Sequence, residues 1–492
     1  MRNHPGAKPY SIFMMRMSPN VLPIILLCLL TWTGHLVAQE AYVEMPVNDY
    51  FKDPDKFKEA DNNQKYVFLG TNPYEGRNKQ LFDGWFKLYY FPQMTHIDRL
   101  DSLPSMREEF LKNFLKPGLK KNPELKPALL EIAFEMTKEI ATGDYHPVAR
   151  YNAMLLLGEL NTTELNRLTK EKPEPLMKAL GVLVTEFKNP DQIDSVRLAA
   201  LLGILRHCEI RGTAMPPAAR DMIIADMLDV IAEKQPPAGR SQEGHAWFQR
   251  RAFDVLGALG TDDQDGRVVT AIVGALNQID NDLGLRCAAA TALGRLKLNA
   301  NSRLNVPAAT KGLNDLAMSV CQSELAAIAE LQKEFQSQQD PRAQGTQNLV
   351  TNTGIQDALK KRQTLRTRRR VKSVLVCINS ALNGVGSASG IKSQVKPNDP
   401  AAKQVAELEQ TVKTLIAATD KTDQTFEEVT QSVQTALGKL AGNNAPAGNP
   451  DPELPAEIPA TPPSPDGLPP VPGAGEPGVP DLDALPPVNG LP

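Results

Sequence analysis

The sequence predicts an all-α fold, an α-solenoid of stacked helical pairs followed by long helices, a helical hairpin and a disordered proline-rich tail. Three observations predict it. An aspartate, an arginine six residues later and an alanine three beyond that recur as Asp144, Arg150 and Ala153, as Asp191, Arg197 and Ala200, and as Asp280, Arg286 and Ala289. Each copy leads into an apolar stretch. Between residues 125 and 298, apolar side chains return at the three- and four-residue spacing of one helix face, with glycine and proline at the joints. From Asn443 onward the pattern stops, and 16 of the 40 prolines crowd into a segment with too few aliphatics to form a core.

At the N-terminus, Arg16, the apolar run 21–30 and Leu36-Val37-Ala38 before Gln39 follow the basic, apolar and small-residue order of a secretory signal peptide. Residues 1–38 are therefore expected to be a cleaved leader, and the mature protein to be exported to the periplasm, cell envelope or extracellular space. Gly34 and His35 interrupt the apolar run well short of the roughly 20 residues a spanning helix needs. No transmembrane segment is expected after cleavage.

Residues 39–122 form the first mature region. They contain 15 of the 27 aromatic residues, among them Phe82, Trp85, Phe86, Tyr89 and Tyr90 at helical spacing. This face reads as a cap over the end of the repeat core, which terminal repeats need. Its sharper reading is an aromatic platform for a carbohydrate or peptide.

Residues 123–300 hold the repeats. Helices are expected at 125–140 with 148–160, 176–187 with 195–207, 218–231 with 247–259, and 268–279 with 285–298. At these residues the chain resembles the HEAT-repeat family. The resemblance implies that the aspartate of the inter-helix turn and the arginine six residues on form a charged ladder: Asp144 with Arg150, Asp191 with Arg197, Asp280 with Arg286. The Trp247 unit departs from it, with Gly244 and His245 six residues before Arg250 and Arg251, so a bend or an insertion is expected there.

Residues 301–442 change rhythm. Long helices at 306–335 and 355–382 flank a Gln-rich linker, 336–354, and a hairpin or coiled coil follows through Val405, Leu408, Val412 and Leu415 and then Phe426, Val429, Val433 and Leu440. Thr425 and Glu428 have the spacing of a capping box. Inside the second long helix lie Lys360, Lys361, Arg362, Arg366, Arg368, Arg369, Arg370 and Lys372 with no acid among them. Such a run is either a solvated face or a contact for an anionic partner, whether envelope lipid, polysaccharide or the acidic tail. Residues 443–492 form that tail, with seven acids and no lysine or arginine.

The chain of 492 residues carries a formal net charge of -3, of which the tail alone supplies -7. The folded part is thus nearly neutral, which argues against a nucleic-acid binder. Cys208, Cys287, Cys321 and Cys377 are far apart in apolar helical stretches and read as core residues rather than a disulfide framework, with a disulfide between two of them left open. There is no HExxH, GxSxG or GxxxxGK[ST] motif and no metal-ligand spacing. No catalytic, cofactor or metal site is expected. The sequence thus reads as a non-catalytic scaffold or adaptor for protein partners. An envelope-binding module acting through residues 360–372 is the alternative, and an enzyme on the same fold a third reading.

Overall fold

A computed structural model describes residues 42–115, 124–165, 168–263, 265–299, 302–338, 349–388 and 390–442. The expected leader and the proline-rich tail lie outside the described residues. What is described is mostly helical.

The N-terminal region contains α1 (Pro54–Leu69), α2 (Gly76–Trp85) and α3 (Leu103–Glu109). Asp53 opens α1 by accepting from the amides of Asp55 and Lys56, next to a proline whose fixed φ suits a first turn. Both α2 and α3 run on into a π-helical turn, Phe86–Tyr90 and Phe110–Phe114, and α2 ends in a last α turn, Phe91–Gln93. A π turn adds one residue to the register. The chain before α1 is pinned back onto this region, where Met45 N–H donates to Thr95 Oγ1 at 2.8 Å.

Paired helices follow: α4 (Leu125–Thr142) with α5 (Pro147–Glu159), α6 (Met177–Lys188) with α7 (Asp194–Arg211), α8 (Pro217–Ala232) with α9 (Gln242–Leu259), and α10 (Arg267–Asn277) with α11 (Leu283–Arg295). The second helices also pack in order, α5 on α7, α7 on α9 and α9 on α11. On α5 the buried stripe is Ala149, Ala153, Leu156 and Leu157, each fully buried, and a leucine so placed contributes about 2 kcal/mol of apolar burial. Small residues bring these helices close. A Cβ on Gly158 would stand 2.7 Å from Gly203 Cα, so α5 and α7 touch backbone to backbone there.

One feature was not foreseen, and one falls where a bend or an insertion was expected. Between α5 and α6 the chain forms a small antiparallel pair, β1 (Asn161–Thr163) with β2 (Glu174–Pro175). The first helices are less evenly stacked than the second: α4 packs on α6 and α8 on α10, whereas α6 and α8 are joined by the Lys188–Asp226 ion pair at 2.6 Å. This is where the longer Trp247 unit begins.

The last pair is α12 (Val306–Gln338) with α13 (Leu349–Asn383), and α13 continues the order by packing on α11. Both helices reach further into the Gln-rich segment than its composition implies, and residues 339–348 lie outside the described residues. The approach of α11 to α13 is close: a Cβ on Gly294 would fall 2.3 Å from the Ser380 carbonyl oxygen. α14 (Pro400–Asp420) and α15 (Phe426–Gly442) then fold back and pack on α12 and α13 as well as on each other. Thr425 and Glu428 form the expected capping box, Thr425 N–H donating to Glu428 Oε2 at 2.8 Å and Glu428 N–H to Thr425 Oγ1 at 3.1 Å. None of the described helices is long and apolar enough to cross a membrane.

Candidate functional site

The three recurring arginines share one register. Each stands four residues after the N-cap of its helix: Arg150 after His146, Arg197 after Ile193, Arg286 after Asp282. From there each Nε–H donates back to a carbonyl at the C-terminal end of the preceding helix: to Ala141 at 3.3 Å, Phe187 at 3.0 Å and Leu276 at 3.1 Å. Those carbonyls belong to the last helical turn, which has no partner inside its own helix. The guanidinium is therefore a bracket between the two helices of a pair. In two copies it also reaches forward, Arg150 to the Gln192 side chain, and Arg286 to Gly312 O at 3.3 Å and Ser319 Oγ at 3.1 Å. With three partners, Arg286 is only 1% exposed.

The aspartates do not take the part the HEAT resemblance implies. Asp144, Asp191 and Asp280 are exposed, and among the described residues no ion pair joins any of them to its arginine. The acids that matter stand elsewhere. Asp194, not Asp191, lies 3.7 Å from Arg197, and Asp282, not Asp280, caps α11 by accepting from Leu285 N–H at 3.0 Å. Backbone carbonyls suffice as acceptors, so the turn aspartates stay in solvent. Burial lowers the pKa of both Arg197 and Arg286, which remain cationic at any physiological pH.

The same register exposes a fourth bracket that the arginine pattern cannot show. Four residues after the N-cap Ser241 stands His245, 1% exposed, with Nε2 2.8 Å from the Glu233 carbonyl; Gln249 Nε2 donates to the same oxygen at 2.8 Å. The loop before it supplies Arg240, whose two hydrogen bonds to Asp194, at 2.8 and 2.7 Å, tie the Trp247 unit to the helix before it. Arg240 also lies flat over Phe248, 4.0 Å from the ring centre. The bidentate guanidinium holds the Asp194 carboxyl below its ordinary range.

The aromatic cluster is closed. Phe82, Trp85, Phe86 and Tyr90 are buried, and Tyr89 keeps partial exposure while stacking on Phe51 at 5.7 Å. Trp85 stacks on Tyr90 at 5.4 Å, and both meet Phe114. These rings fill the N-terminal core with the edge-to-face and offset contacts aromatic pairs favour. Four of the five rings are thus spent on the core, as a cap requires, and Tyr89 alone of the five keeps partial exposure.

The basic run divides in two. Arg368 donates to the Thr419 carbonyl at 2.9 Å, at the C-terminal end of α14, where a cation also meets the negative end of the helix dipole. Lys372 pairs with Asp420 at 2.5 Å, Lys360 with Glu427 at 3.5 Å, and Arg370 with the fully buried Glu324 at 3.3 Å. The other four, Lys361, Arg362, Arg366 and Arg369, are exposed, and among the described residues no acid or carbonyl holds them. Beside them on the outer face of α13 stand exposed aliphatics, Ile355 (58%), Leu365 (44%) and Val376 (46%). The pocket at this helix, about 460 Å³, lies instead against the α14–α15 turn, where Lys360 and Arg368 meet Thr422 and Phe426.

A row of half-buried charge on the second helices escaped the sequence reading. Glu159 on α5 faces Arg107 at 3.6 Å, and Arg206 on α7 donates to Gly158 O at 3.0 Å and Asn161 Oδ1 at 2.7 Å. Glu159 and Arg206 line a hollow of about 620 Å³ beside β1. Further along, Asp254 pairs with Arg251 at 3.0 Å. Burial raises the pKa of both Glu159 and Asp254, with the neighbouring arginines opposing it. Their spacing gave no signal, since single charges on amphipathic helices read as solvated positions. Among the described residues no group of three or more His, Cys, Asp or Glu side chains is placed to hold a metal ion.

Neither a family model, nor a curated protein, nor a solved structure matches the chain.

Proposed function

We propose that the protein is a non-catalytic, exported scaffold that binds protein partners through the surface of a HEAT-like solenoid built by α4 to α13. The observation that carries this reading is the succession α5, α7, α9, α11 and α13, each helix packing on the next, with a side-chain bracket at one fixed register in four of them. A stack of this kind grows by nearest-neighbour contacts and presents one continuous face. On that face Glu159, Arg206, Arg251 and Asp254 stand half-buried, so a partner docking there meets fixed charges of both signs rather than a single-sign field. The experiment is affinity capture from soluble and envelope fractions of the producing cell, comparing residues 39–492 with a variant carrying Arg206→Glu and Arg251→Glu. A protein retained by the first and lost by the second, with unchanged helicity, supports the reading. A partner retained equally by both moves the binding surface off this face.

A second reading has its own observation. The four cations of α13 that no acid or carbonyl among the described residues holds, interleaved with exposed aliphatics, suit the headgroup region of an anionic envelope surface, which takes both charge and apolar contact. Vesicles containing anionic lipid are expected to retain the protein at low salt and release it at high salt. Retention that survives Arg362→Gln, Arg366→Gln and Arg369→Gln together removes this reading.

A further inference from the structure

Of the four cysteines of the described region, two are inert by placement. Cys208 and Cys321 are fully buried, each on its own, and burial raises both thiols, Cys321 to about 12. Cys287 and Cys377 differ. They stand on α11 and α13, which are in backbone contact, and both are partly buried. Their thiols face each other across this helix contact. Thr291, one turn beyond Cys287, donates its hydroxyl to the Cys287 carbonyl at 2.9 Å, while the Cys377 thiol donates to the Ser373 carbonyl at 3.3 Å.

We infer that Cys287 and Cys377 are a dithiol pair that oxidises to a disulfide, a covalent bond between the last helical pair of the repeats and the C-terminal bundle. The roles of the two sulfurs are unequal. The neighbouring Cys287 thiol brings Cys377 down to about 7, while the same contact and burial push Cys287 up. At neutral pH Cys377 therefore carries the larger thiolate fraction of the two and is the nucleophile. The oxidant is a disulfide, such as glutathione disulfide. The Cys377 thiolate attacks one of its sulfurs, forming a mixed disulfide and expelling one glutathione thiolate. The Cys287 thiol then loses its proton to solvent, attacks the Cys377 sulfur and expels the second. Two protein thiols are oxidised to one disulfide, and one glutathione disulfide is reduced to two glutathione thiols. The new bond is about 2.04 Å long, so the sulfurs must close from non-bonded contact, and they do so on neighbouring helices already in backbone contact one to two turns away.

The inference does not depend on the scaffold reading, and its test needs neither partner nor cell. The purified protein is equilibrated with glutathione disulfide at pH 7.5, remaining thiols are alkylated, and tryptic peptides are mapped without reduction. The expected product links residues 287–295 to residues 373–392, while Cys208 and Cys321 stay reduced. In the Cys287→Ser variant the reaction is expected to stop at a glutathione adduct on Cys377. Before oxidation, Cys377 is expected to alkylate at least about tenfold faster than Cys321 at pH 7, with a rate that rises with pH and levels off above about 7. Free thiols at both positions after equilibration overturn the inference. So does a link from either of them to Cys208 or Cys321. The map of the unaltered protein decides the matter even where the serine variant fails to fold.

Discussion

The arginines of the repeats and the arginines of α13 are the same residue type on neighbouring helices, and the protein uses them oppositely. Arg150, Arg197 and Arg286 stand at one register and donate inward to carbonyls that end the preceding helix. On α13 the cations cluster without a register, and among the described residues only Lys360, Arg368, Arg370 and Lys372 find acceptors. Recurrence at a fixed distance from an N-cap marks a charge that builds the fold. A dense run exceeds the acceptors within reach and leaves charge at the surface.

The largest effect that would sharpen this contrast is at Arg286. Arg286→Ala leaves the carbonyls of Leu276 and Gly312 and the Ser319 hydroxyl without their donor in a buried site, so urea unfolding should show a loss of about 3 to 5 kcal/mol. Next comes the contact between the two regions. Gly294→Ala drives a methyl into the Ser380 carbonyl and should cost about 1 to 3 kcal/mol, with faster amide exchange on the facing turns of α11 and α13.

A smaller effect is carried by His207, fully buried with Nδ1 2.8 Å from the Gly203 carbonyl. Burial depresses its folded pKa below the ordinary 6.5, so the unfolded chain binds the proton more readily. The stability it supports is complete above about pH 6.5 and is lost as pH falls below it. The melting temperature should therefore decline from pH 7 to pH 5, and His207→Gln should flatten that decline. A steeper decline in the variant would contradict the assignment. The smallest effect belongs to the free cations: Arg362→Gln, Arg366→Gln and Arg369→Gln together should move stability by no more than about 0.5 kcal/mol while changing salt-dependent binding to anionic vesicles. A large loss of stability there would break the comparison.

The helical pairs were legible because apolar periodicity and glycine or proline joints are local signals, and the ladder arginines because they recur. Their acceptors were not legible. A backbone carbonyl carries no residue type, so the motif drew attention to Asp144, Asp191 and Asp280, which the structure leaves in solvent. A reading anchored on the N-caps would have done better, since Ser241 leads to His245 by the same count that leads from Asp282 to Arg286. The aromatic cluster was visible as a cluster, but whether its rings close on one another depends on the π turns that set their register. The Cys287–Cys377 contact, 90 positions apart, had no local signal at all.

The central claim is that the ladder arginines act by geometry, as forks between helix ends, and the most direct measurement is urea unfolding of Arg286→Lys. Lysine keeps the charge and loses the fork that serves three acceptors. The variant should lose most of what Arg286→Ala loses, whereas a lysine variant as stable as the unaltered protein would show that charge alone suffices and that the fork geometry is dispensable.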